Sequence, residues 1–402
     1  MKKLMILGGS RYALPLIEIA HNLDCKVITC SNNPDEIAHS YSDNYYNISV
    51  FDKEAILDVA NKEKIDGIVS FACDPGVVAA AYVSEKMGLN FQGPYESACI
   101  LQDKGLFRDF LINNGFNCPH ARRYSLAEDV WKDLDYFNWP VIVKPVDSAG
   151  SKGVTKVSDP SELKEAIEIA IKQSISGSFI VEDFLTFKGY HSSTDVFTVG
   201  GKVRFISFSD QLFDQEADNP YTPAFIIWPS TMEENHQRYL ASEIQRLMTL
   251  LDMKTGIYNI ETCVDVDGNP YIMEVSPRGG GCKIAELQRC AFGVDLIEAE
   301  VKNAIGLPVG EIIQTDCDGC WCEMVIHTHK NQTGKLDEVV FDKEIKEKYV
   351  KMVELSKKKG EMVYPFTGAN MALGDLFLRT DSRDKMNELL CKRDEWLIIE
   401  LQ

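Results

Sequence analysis

Residues 258–276 constrain the chain most, because two alternating segments, 258–266 and 271–276, flank Asp267-Gly268, a dipeptide that favours a tight type I′ turn. A two-residue turn there sets the register of a β-hairpin: Glu261 opposite Glu274, Asn259 opposite Ser276, Ile260 opposite Val275 and Thr262 opposite Met273. The apolar pairs share one face and the polar pairs the other. Directly opposed residues bring their Cβ atoms within about 5 Å, where two carboxylates repel unless one is protonated or a cation lies between them. A hard cation such as Mg2+ suits an oxygen-only pair. The competing reading is a surface hairpin with two solvated acids, and a three-residue loop would spoil the pairing.

The chain leaves this hairpin as Ser276-Pro277-Arg278-Gly279-Gly280-Gly281. A run of backbone without side chains admits anions closely. Arg278 adds a planar fork suited to carboxylate or phosphoryl oxygens, so metal and guanidinium would flank one reacting group. The plain alternative is a flexible connector beside a surface charge.

At 402 residues the chain calls for two to four domains, and 45% hydrophobic with 26% charged residues is a globular composition. The net charge of -19 repels nucleic acid and anionic membranes, so a phosphate-bearing partner has to be held by local lysines, arginines and metal. Met1-Lys2-Lys3 imitates a signal peptide, but the apolar run stops at Gly8-Gly9 and meets Arg11. No apolar stretch reaches the length of a membrane span, so a cytoplasmic protein is expected. The 12 cysteines are scattered and expected as thiols. Cys317, Cys320 and Cys322 form the only cluster; with His327 or His329 it would make a zinc site, though ordinary buried thiols are preferred.

Residues 1–97 alternate strand and helix, with strands at 3–7, 26–30 and 67–70 and helices at 11–22 and 53–62, an order that implies a parallel sheet. Gly8-Gly9-Ser10 lacks the spacing of a dinucleotide fingerprint. Ligands of such sheets bind beyond the carboxyl ends of the strands, which makes the loops around Gly9, Ser31 and Asp74 candidate contacts. A helix over 103–115 opens a new unit. Lys144 then ends a buried strand at 140–145, and the small-residue loop 147–153 precedes another strand, an order different from a Walker loop. Further on, the pattern predicts helices at 161–174, 233–251 and 295–305, a strand pair turning at Gly200-Gly201, a basic-acidic helix over 342–358, and a final strand and helix at 376–379 and 382–391.

This order of parts resembles the ATP-grasp superfamily of carboxylate-activating ligases, in the branch of biotin carboxylase, carbamoyl phosphate synthetase large subunit and glycinamide ribonucleotide synthetase. The resemblance covers residues 1–310 well and the remainder loosely. It implies a mixed α/β and α+β fold: a parallel, Rossmann-like domain at 1–102, a lid subdomain at 103–190, a large ATP-grasp subdomain at 191–310 and a β-rich C-terminal unit at 311–402. It further implies that Lys104 and Lys144 touch ATP phosphates beneath a mobile loop containing Ser148, Gly150, Ser151 and Gly153. Glu182, Asp183 and Leu185 would grip adenine, with His191 near the usual place of the ribose-binding acid. Glu261 and Glu274 match the metal ligands for Mg2+ or Mn2+, and Arg278 matches the arginine of the final motif, where it would act with Lys144 in catalysis. Ser276 replaces the usual asparagine of that motif; its hydroxyl can still ligate the ion or hold its water.

The implied chemistry is phosphoryl transfer from ATP to a carboxylate, followed by attack of an amine on the acyl phosphate. Small-molecule acid and amine partners are expected, with a homodimer among the assemblies the resemblance allows. An amino acid ligase-like activity is the first reading; a purine-pathway ligase and a catalytically silent nucleotide-binding module are the alternatives. Asp210 and Glu286 are the candidates for a base toward the amine.

Overall fold

The computed structural model describes residues 1–148, 152–220 and 222–402. Gly150 and Ser151, expected in the phosphate loop, lie outside the described residues. The first strand, Lys2–Leu7, buries its last four residues completely, as a strand covered on both faces must. It sits inside a parallel sheet of order Asn44–Tyr46, Cys25–Cys30, Lys2–Leu7, Gly67–Ser70. The strand order reverses between Lys2–Leu7 and Gly67–Ser70, and a crevice opens beyond their carboxyl ends. Asp74 stands there as the first residue of the helix Asp74–Met87.

That helix and Tyr95–Gln102 are additions to the elements expected from sequence. Another expected helix, over 11–22, begins as a 3-10 turn, Arg11–Ala13, and becomes α-helical at Leu14–Asn22 around Pro15, whose missing N–H is tolerated in a first turn. Next comes an antiparallel sheet ordered Ala121–Tyr124, Phe179–Asp183, Val141–Pro145, Thr155–Val157. The helix Leu163–Gln173 packs on it through Leu163, Ile167 and Ala170.

The hairpin lies at one edge of a third sheet, ordered Lys202–Phe205, Ser192–Val199, Gly256–Val264, Pro270–Ser276. Its apolar face, with Val196, Tyr258, Ile260 and Val275, covers the helix Glu234–Leu250, which leaves the other face for polar side chains. Glu261 does face Glu274, and Asn259 faces Ser276. The turn, however, is not a two-residue one. The strands close at Val264 opposite Pro270, and Asp265 caps the loop by accepting from the Asp267 and Asn269 N–H groups at 3.0 and 2.8 Å. Thr262 therefore pairs with Ile272 rather than Met273, and a bulge at Met273 restores the expected register by Glu261.

Two further corrections concern the C-terminal part. Asp210–Phe213 and Pro223–Trp228, expected within the large subdomain, instead join a five-stranded antiparallel sheet with Cys320–Ile326, Gly374–Thr380 and Val350–Leu355. The helix expected over 342–358 ends at Tyr349, because Val350–Leu355 pairs along Gly374–Thr380 and ladder formation overrides the charge pattern. Among the described residues no helix is long and apolar enough to cross a membrane.

Candidate active site

Glu261 and Glu274 face each other on the polar side of the hairpin sheet. Burial, and next the charge of Glu274, pushes the Glu261 carboxyl up to about 7, while Lys104, Arg278 and Lys144 each pull it back. The three basic groups and two acids expected from sequence thus share one electrostatic neighbourhood. Lys104 Nζ lies 4.0 Å from Glu274 Oε2 and donates to the Ser148 carbonyl at 2.9 Å. A cavity of about 250 Å3 opens among Asp74, Gln102, Lys104, Ser148, Met273 and Glu274. Gly153 turns the chain at a φ of +73°, close to Gln173.

Lys144 is paired with Glu182, whose second oxygen accepts from Arg108 Nε at 2.9 Å. Burial alone would raise the Glu182 carboxyl, but Arg108 and Lys144 outweigh it and hold it at about 2. Glu182 is thereby the fixed counter-ion of Lys144. Asp183 points elsewhere: its carboxylate takes the Asn138 N–H and Nδ2 groups, each at 2.8 Å, and fastens that loop to the strand end. Leu185 is half-buried just past the strand. His191 contacts the Phe187 ring at 4.0 Å between centroids, and burial, then the charge of Lys144, lowers its imidazole to about 4.

Arg278 is buried and forms a two-point ion pair with Asp74, from Nε to Oδ1 at 2.8 Å and from Nη2 to Oδ2 at 2.7 Å. Its Nη1 donates to the Gly279 carbonyl at 3.0 Å. Three of the guanidinium's five N–H groups are used in this way, which leaves two for a substrate oxygen. Ser276 is also committed: it donates to Asp74 Oδ1 and accepts from Gln102 Nε2, both at 2.6 Å. Its hydroxyl therefore braces Asp74 instead of opening toward Glu261 and Glu274. The glycine run is a close approach as well as a connector. A Cβ on Gly279 would collide with the Phe71 ring, and one on Gly280 would lie 2.9 Å from Asp195 Oδ1.

Residues 137–286 match the family described as ATP-grasp domain. That stretch is an ATP-grasp domain. Among curated relatives, the carbamoyl phosphate synthase large chain of Thermotoga neapolitana is 24% identical over 292 residues, covering 72% of this chain and 26% of that one. This chain thus spans about a quarter of that relative. The formate-dependent phosphoribosylglycinamide formyltransferase of a Synechococcus species is 23% identical over 313 residues, covering 77% of this chain and 78% of that one. Two solved structures share the fold along the whole chain. The L-amino acid ligase from Bacillus licheniformis superposes with a TM-score of 0.82 at 20% identity, covering 100% of this chain and 99% of that one. The phosphoribosylglycinamide synthetase from Anaerococcus prevotii gives 0.80 at 18% identity, with 100% of each chain covered.

The donor set of this candidate site fits a divalent cation: two facing carboxylates, one with raised proton affinity, gain from a hard positive charge. Several partners went unread in the sequence. Arg108 lies four residues after Lys104 on the helix Lys104–Asn113, a spacing that places both on one face. Gln102, which ends the helix Tyr95–Gln102, and Asp195, on the strand Ser192–Val199, carry no local signal, because their partners Ser276 and Gly280 are distant in sequence. Asp210, a candidate base, is saturated by Ser230, Thr231 and Arg383. The zinc alternative loses His327, whose ring nitrogens meet Asp214 and the Val325 carbonyl, and no group of three or more ligands is arranged for a metal among the described residues.

Proposed function

We propose that the chain is an ATP- and Mg2+-dependent ligase that joins a small carboxylate to an amine through an acyl phosphate, in the manner of an amino acid ligase. The observation that carries this reading is the convergence of Lys104, Lys144 and Arg278 on the facing pair Glu261 and Glu274. Bound between those two acids, Mg2+ would neutralise charge on the β- and γ-phosphates. Lys104 and Lys144 disperse the remaining phosphate charge, with Glu182 and Arg108 holding Lys144 in place. Residues 103–190 act as the lid that carries these lysines and excludes water. Asp74 sets the plane of Arg278, whose two open N–H groups take an oxygen of the acyl phosphate. The strand exit at Glu182, Asp183 and Leu185 receives the adenine, and neutral His191 lines the nucleotide site without adding charge.

The full-length likeness to a protein described as an L-amino acid ligase is in keeping with this reading. A purine-pathway type of ligase is the second reading, favoured by the Synechococcus relative that aligns over 77% of this chain. ADP release, measured with Mg2+ and a panel of amino acids, formate and ribonucleotide amines, separates them. Release that needs both an acid and an amine supports a ligase; release by no pair overturns it.

A further inference from the structure

The five-stranded C-terminal sheet turns an apolar face toward the parallel-sheet domain, where Ile226, Trp228, Trp321 and Phe377 share a core with Leu4 and Ile6. Three carboxylates interrupt that face. Asp375 stands directly opposite Glu354, and Glu323, opposite Phe377 on the next strand, lies one diagonal step away on the same side. Like charges so placed destabilise a sheet, and Glu323 and Asp375 are both 0% exposed.

Nearby cations answer only part of this charge. Arg11 Nη2 donates to Asp375 Oδ1 at 3.1 Å, and Lys283 Nζ lies 3.0 Å from Glu354 and 3.4 Å from Glu286. Among the described residues neither oxygen of Glu323 meets a donor, and Asp375 Oδ2, although 3.1 Å from Arg11, accepts no hydrogen bond. A buried carboxylate without donors is strongly unfavourable unless it is protonated or meets a cation. Burial, then the charge of Asp375, pushes the Glu323 carboxyl well up. The cluster also borders the loop that follows Arg278, since Arg11 donates to the Tyr12 hydroxyl at 2.9 Å and a Cβ on Gly281 would lie 3.7 Å from the Tyr12 ring. Among the described residues no set of three or more ligands is arranged for a metal ion, whereas an ammonium group needs only carboxylate oxygens to donate to.

Resting on the ligase reading, we propose that Glu323, backed by Asp375 and Glu354, recognises a cationic group of the amine substrate. A nitrogen held there as a cation has no lone pair with which to attack. The nucleophile is therefore a second, neutral amine on the same molecule, and the substrate class is small diamines and basic amino acids.

The test is titration calorimetry on the full chain with Mg2+ and a non-hydrolysable ATP analogue. 1,4-Diaminobutane and lysine are compared with n-butylamine and norleucine, which lack the second basic nitrogen. The dibasic probes are expected to bind at least tenfold tighter to the wild type, and Glu323→Gln should lose that preference while still binding the ATP analogue. Equal binding of both probe types, or a preference that survives in Glu323→Gln, overturns the proposal. Glu354→Gln, at the rim with a 43% exposed side chain, should weaken the preference severalfold and decides the matter if the first variant does not fold. ADP release separates the two readings. Dibasic preference lost in Glu323→Gln without ADP release from any acid and amine pair leaves the cation site standing and removes the ligase. Amine-dependent ADP release that ignores the second nitrogen keeps the ligase and removes the cation site.

Discussion

Asp74 and Arg278, 204 residues apart in sequence, form a two-point ion pair that ties the mouth of the parallel sheet to the loop leaving the hairpin of Glu261 and Glu274. Ser276 and Gln102 extend it, so three side chains from three elements fix the guanidinium plane. Burial works against the Asp74 carboxylate, and Arg278 more than offsets it, holding the group below its ordinary range.

Asp74→Asn should destabilise the protein by about 2–4 kcal/mol, somewhat under the usual cost of breaking a buried pair because Asp74 is 20% exposed. Urea unfolding measures this. A loss below about 0.5 kcal/mol would show that the pair is not a structural tie.

Glu274→Gln should abolish Mg2+-dependent ADP release, by a factor of about 100 or more, with circular dichroism unchanged. Full turnover in this variant would contradict the metal assignment.

The Glu261 carboxyl titrates near 7 in the folded protein and about 4.3 when unfolded, so the folded state binds more protons between those values. Stability without ligand should accordingly fall as pH rises from about 4.5 to 7, and then level off. Glu261→Gln should flatten that limb and raise stability at pH 8 by on the order of 1–3 kcal/mol, after allowance for partial solvent screening. Melting curves at pH 5 and pH 8 for both proteins check this, and identical slopes would refute it.

Glu182 gives the opposite sign. Its folded value of about 2 lies below the unfolded one of about 4.3, so its contribution is present above the latter and is lost as pH falls toward 2. Glu182→Gln should lower stability at neutral pH by about 3–5 kcal/mol, because Arg108 and Lys144 remain buried without their anion, and should blunt acid unfolding. An acid limb as steep as that of the wild type would argue against the assigned role.

The pairing of Glu261 with Glu274 was legible in the alternation of 258–276, though the chain reaches it by another route. Asp265 caps a longer loop, and the bulge at Met273 takes up the difference. The carbonyl of Met273 then accepts from Arg108 Nη1 at 2.8 Å, so the irregularity also anchors the residue that positions Glu182. The helix expected over 342–358 failed for a related reason. Charge spacing is a local signal, and the pairing of Val350–Leu355 with Gly374–Thr380 is a long-range one that outweighs it.

Local pattern singled out the side chains proposed to carry the chemistry: two acids facing each other across a hairpin, a strand-end lysine, and an arginine before a glycine run. It did so because hydrophobic period and turn chemistry act over a few residues, within reach of a linear reading. Tertiary structure alone decided that Asp74 occupies the fork of Arg278, that Ser276 braces Asp74, and that Glu323, Asp375 and Glu354 lie side by side on a buried face. Those contacts join segments tens to hundreds of residues apart, and their energies come from burial and pairing that exist only once the sheets have packed.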